Sequence, residues 1–195
     1  MILPNCKGWP EAFTIRGKVP KKTLLKYTGN LAYIYFLEAW AQIVAAITAS
    51  DLLGQRYVTF CDNEAAKHAL TKEYGKDPAV NAAIGAYWCF LTATATEAWM
   101  ERVSSPANLS DEVSRNKFDL ASKHGWIHVT MDYTEAYNIM EMAATDMQFA
   151  HEAAPQKLYN CLAGQFRKAL EELGYQLPRL YSIYDIPGSR GGPTA

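Results

Sequence analysis

Short β-branched and aromatic runs alternate with helical stretches through the first 116 residues, and this alternation constrains the fold more than any other feature. Ala12 to Arg16 reads as a short strand, followed by a polar, lysine-bearing connection from Gly17 to Gly29. Ala32 to Phe36 is an aromatic, strand-like run. From Leu37 the pattern turns helical, with Leu37, Ala41, Val44 and Ile47 near helical spacing and Gly54 as a stop. Tyr57 to Cys61 is short, β-branched and aromatic, which suits a buried parallel strand. Asn63 to Tyr74 reads as a helix, Pro78 to about Thr92 as a second, alanine-rich one, and Glu97 to Val103 as a further strand. Pro106 then leads into a turn and short helix. The order strand, helix, strand, helix, helix, strand, helix predicts an α/β layer structure with part of its sheet parallel.

After Asn116 the composition shifts. Thr134 to Glu152 and Gln156 to Leu173 are plausible amphipathic helices, and a Tyr/Pro segment and the tail PGSRGGPTA follow. The expected organisation is a domain over residues 1–116 and a helical C-terminal extension over 117–195, with the boundary near residues 116–125.

The charge balance excludes one class of function and permits another. With 19 Lys and Arg against 20 Asp and Glu, the net charge is −1, so no global basic field draws in nucleic acid. A polyanion would have to be held by a local patch or through bound metal. Lys18, Lys21, Lys22 and Lys26 with Tyr27 form the one basic cluster, more simply a solvated connection. The four cysteines are widely spaced without a CxxC pair, so they read as reduced, small hydrophobes. His124 and His128 are four apart, but Gly125 and the following IHVTM favour loop or strand over a helical ligand pair. No glycine-rich phosphate loop and no activated serine or cysteine motif is present. No stretch is long enough to span a membrane and no leader pattern opens the chain, so an intracellular protein, cytoplasmic or nuclear, is expected.

Three carboxylates stand at element ends. Glu38 lies in YIYFLEAWAQIVAAI, Asp62 in YVTFCDNEAAKHAL, and Asp111 in SSPANLSDEVSR. Acids at the ends of separate elements can converge, and converging carboxylates without paired histidines suit Mg²⁺ (or Mn²⁺). Such a group is the ligand type of a two-metal phosphodiester hydrolase. Each also has a plainer role: Glu38 as an early helix acid favoured by the dipole, Asp62 and Asp111 as helix caps or surface acids. Asn63 and Arg115 could touch a substrate backbone, or serve as a cap and an ion-pair partner.

In order and setting, these three segments resemble the ribonuclease H-like domain of retroelement (retrotransposon) reverse transcriptases. The resemblance covers about residues 8–116. It implies a ribonuclease H-like mixed sheet flanked by helices, with Glu38, Asp62 and Asp111 as catalytic metal ligands. It further implies Mg²⁺-dependent hydrolysis of the RNA strand of an RNA–DNA hybrid. The family's first aspartate precedes a Gly-Trp-like segment; here Gly8-Trp9 is preceded by MILPNCK, and Leu3 stands about where the acid would fall. That residue bridges the two metals in the family, so the resemblance implies the fold more strongly than the activity. The alternative is a non-catalytic structural or protein-interaction module of the same fold. An incomplete first strand would leave a sheet edge lined by Ile15 and Ile34. Residues near 1–16 are then expected to supply a substitute strand or to support self-association there.

Overall fold

The computed structural model describes residues 12–27, 33–53, 55–75 and 77–175. The expectations placed on Leu3, Gly8-Trp9, Gly29, Gly54 and the tail lie outside these residues. The described elements run β1 (Phe13–Lys18), α1 (Lys21–Tyr27), α2 (Tyr33–Thr48), β2 (Arg56–Cys61), α3 (Glu64–Lys72), α4 (Pro78–Ala93) and β3 (Glu97–Arg102). A single 3-10 turn at Ser105–Ala107 leads to α5 (Ser110–Ser114), α6 (Asp119–Lys123), β4 (Ile127–Asp132), α7 (Thr134–Ala143), α8 (Met147–Glu152) and α9 (Ala154–Glu172). The architecture is α/β.

In place of one mixed sheet, the described strands pair in parallel as two separate ribbons. β2 lies beside β3 in register Arg56↔Glu97 through Cys61↔Arg102, joined by the α3–α4 crossover that a parallel pair requires. β1 lies beside β4, from Phe13↔Ile127 to Lys18↔Asp132. The strand expected at Ala12 to Arg16 is β1, and it pairs with β4 and not with β2. Ile15 sits partly buried against the core, and Ile34 is a solvent-facing helical residue, so the two do not line a common sheet edge.

The aromatic run at 32–36 is not a strand over its described part: Tyr33 to Phe36 form the first turn of α2. Phe36, Trp40, Ile43 and Ile47 are buried at spacings of three and four, so the run extends a helical stripe, and packing overrides its β preference. The lysine-bearing connection likewise contains α1, whose Lys22 and Lys26 pair with Glu141 of α7 at 3.0 and 3.4 Å. Two of its four lysines thus bridge elements. The strand at Tyr57–Cys61 is parallel but buried on one face only, because no layer among the described residues covers Val58 and Phe60. The single helix expected over 134–152 breaks at Asp146, whose carboxylate accepts from the Phe149 N–H at 3.0 Å and caps α8.

One hydrophobic core spans both sides of residue 116. It joins Ile43 and Ile47 of α2, Tyr87 and Phe90 of α4, Val129 and Met131 of β4, and Leu158, Leu162, Phe166 and Leu170 of α9. Phe13 of β1 meets Phe166 edge-on at 5.6 Å. Asp51, after α2, accepts from the Tyr159 hydroxyl at 2.9 Å and pairs with Arg167 at 3.3 Å, fastening α9 with polar contacts as well.

Gly17 is required by close packing. A Cβ there would meet the Tyr133 ring at 2.5 Å and the Met131 carbonyl at 2.6 Å. Since the second obstacle is backbone, Gly17→Ala should cost about 1–3 kcal/mol, the usual range for overpacking. Chemical denaturation with an unchanged m-value would register it; an unaltered midpoint would show that the β1–β4 ribbon opens at no cost.

Candidate metal and acid site

Glu38 and Asp62 come together, and they do so for local reasons. Glu38 projects from the second turn of α2. One turn later Gln42 reaches β2, donating from Nε2 to the Phe60 carbonyl at 3.0 Å and accepting from the Thr59 hydroxyl. This side-chain clamp fixes α2 against the C-terminal end of β2, where Asp62 leaves the strand. Asn63, and not Asp62, caps α3: its Oδ1 accepts from the Ala66 N–H at 3.0 Å. The cap role is thus filled by the neighbour.

Among the described residues, donor atoms of Glu38, Cys61 and Asp62 all lie within 4.8 Å of one another. Asp111 stands outside that group. Its charge nevertheless acts on Glu38, whose carboxyl is raised above the usual range by burial first, then by Asp62, then by Asp111. Asp111 is held by its own short helix: Asn108 Nδ2 donates to it at 3.4 Å and Arg115 pairs with it four residues on at 3.2 Å. Arg115 thus has the ion-pair role and Asn63 the cap role, while the Arg115 side chain stays 69% exposed and accessible to a ligand. His124 stacks on Trp126 and His128 bonds Thr14, so these histidines form no ligand pair.

Cys61 was legible as an apolar strand residue and not as a member of the site. The signal was its position: it immediately precedes Asp62 at a strand end. Its thiol is pushed up, mainly by burial, with the Glu38 and Asp62 carboxylates adding to the shift. A cation drawing on this sulfur would have to displace its proton.

The donor set fits a divalent cation. Two carboxylates within 4.8 Å of each other repel unless neutralised, and their hard oxygen donors are of the kind Mg²⁺ or Mn²⁺ takes. The strained charge has a consequence in the absence of metal. Because the Glu38 carboxyl holds its proton more tightly folded than unfolded, the native state keeps more protons bound than the unfolded state throughout this window. Folding stability therefore falls as pH rises from the ordinary glutamate range through the elevated one. Glu38→Gln should raise the melting temperature at neutral pH in EDTA, with the gain vanishing under acidic conditions where the glutamate is protonated in both states. A gain that persists in acid would mean the effect is not titration of Glu38.

No protein-family model, curated protein or solved structure matches the chain.

Proposed function

We propose that the chain is a ribonuclease H-like, retroelement-derived domain whose acidic site acts on a phosphodiester of an RNA–DNA hybrid with a divalent cation. The observation that supports this most is the meeting of Glu38 and Asp62 at 4.8 Å or less, with Asp111 close enough to load charge onto Glu38. Glu38 and Asp62 would hold Mg²⁺ or Mn²⁺, with Asp111 adjacent. When bound, such an ion supplies charge stabilisation at the scissile phosphate and lowers the pKa of water. Glu38, whose carboxyl holds a proton more tightly than an ordinary glutamate because of burial and the Asp62 and Asp111 charges, would be the group to receive a proton there. Arg115 is placed to meet a phosphate oxygen beside Asp111, and Asn63 presents the free side of its capping amide.

The second reading, a non-catalytic interaction module, draws on the outer face of the β2–β3 ribbon. Val58, Phe60 and Trp99 are 55, 57 and 66% exposed there, an apolar grouping typical of a binding surface. A 5′-labelled RNA–DNA hybrid incubated with Mg²⁺ and separately with Mn²⁺ decides between them. Cleavage confined to the RNA strand is the expected result. An intact substrate with both ions would remove the nuclease reading and leave the module.

A further inference from the structure

The solvent face of the β1–β4 ribbon carries a cluster that the acidic site does not use. Arg16 lies over the Phe118 ring at 5.4 Å from its centroid, and His128 meets the same ring edge-on at 4.8 Å. Each planar group is held in place. Arg16 donates to the Asn116 side chain. His128 shares a hydrogen bond with the Thr14 hydroxyl at 2.8 Å and a longer one with Thr130 at 3.4 Å. Asn116 adopts a left-handed conformation at φ 60°, which turns the chain out of α5 and back towards β1.

The cluster adjoins the acidic site. α5 packs against β1, so Asp111 and Asn116 lie at opposite ends of one short helix and its closing turn. Five residues of helical rise amount to about 7 Å, a span of one to a few nucleotides. Asp132, the acid at the far end of the ribbon, is occupied in accepting from the Thr134 N–H at 2.9 Å as the chain enters α7.

We infer that Arg16, Phe118 and His128 form a stacking subsite for one strand of a polynucleotide running away from the Glu38–Asp62–Asp111 site. The inference rests on the nucleic-acid reading of that site. Planarity selects the ligand class. A guanidinium held over an aromatic ring gathers the two kinds of plane on which bases stack, and stacking on Arg and aromatic planes is the general mode for single strands. The neighbouring imidazole and threonine hydroxyls supply donors and acceptors at the edge of a stacked base. An acidic peptide would need only the charge of Arg16 and would leave the Phe118 ring unused.

The test is fluorescence anisotropy of a labelled single-stranded oligonucleotide in EDTA, where no metal contributes. Arg16→Lys keeps the charge and removes the plane, so it should weaken binding about tenfold, and Phe118→Leu should do the same. Lys168→Ala, an exposed charge on α9, should leave affinity unchanged. Full affinity in Arg16→Lys overturns the proposal, whether or not Phe118→Leu folds. So does an equal loss in Lys168→Ala, or displacement of the oligonucleotide by polyglutamate at equal charge concentration, since either means charge alone. The two readings fail separately. Arg16-dependent binding without metal-dependent cleavage removes only the nuclease, whereas cleavage with Arg16-independent binding removes only the subsite.

Discussion

Asp62→Asn is expected to lower the proposed metal-dependent cleavage of an RNA–DNA hybrid by at least about a hundredfold while leaving the fold intact. Losing even an outer-shell partner of a metal ligand costs roughly 10–100-fold, so loss of a direct ligand should reach the top of that range or pass it. The variant is a clean probe because, among the described residues, the Asp62 side chain is seen in no cap or ion pair that Asn would break. The α3 cap belongs to Asn63. Removing the Asp62 charge also relieves Glu38, for which that charge is the second cause of its raised carboxyl after burial. The variant should therefore melt at or above the wild-type temperature in EDTA, and its Glu38 should titrate closer to an ordinary glutamate by NMR. Cleavage that survives the substitution would remove Asp62 from the site. A loss of cleavage accompanied by a lowered melting temperature would instead mean that Asp62 supports the fold.

Where packing and pattern agree, the elements were readable from the chain. α3 and α4 carry their own punctuation, with Asn63 and Asp77 as caps and Pro78 in the first turn. β2 and β3 were visible from β-branched and aromatic residues between turn signals. Tyr33 to Phe36 misled because aromatic residues favour strands unless a helical stripe recruits them, and only the buried positions of Phe36 and Trp40 reveal that recruitment. The exposure of Val58 and Phe60 was equally hidden, since a short apolar run reads the same whether one or both of its faces are covered. At the site, Asp62 was legible because it closes a strand, whereas Glu38, expected at the opening of its helix, lies in the second turn because α2 already begins at Tyr33. Cys61 was not legible, since a cysteine inside an apolar run is ordinarily a small hydrophobe. The cluster of Arg16, Phe118 and His128 was beyond reach: it joins β1 to β4 across 112 positions from Arg16 to His128, and no local pattern encodes that pairing.

The same long-range pairing yields the second large expectation. A chain ending at Asn116 should not fold cooperatively, although the compositional shift falls there. Among the described residues β1 has β4 as its only strand partner, so the truncation leaves all six of its residues without a ladder. It also strips Leu158, Leu162, Phe166 and Leu170 from the core. Each such side chain contributes about 1.5–3 kcal/mol when fully buried. Four together rival the whole net stability of a typical domain, about 5–15 kcal/mol. Leu70, Ile43 and Tyr87 would then face solvent or each other, and a collapsed, dye-binding state is the expected product. Circular dichroism should show residual helix with no sharp thermal transition, and the near-ultraviolet signal should be lost. A cooperative melt from residues 1–116 alone would mean that α9 decorates a core which α2, α3 and α4 already complete.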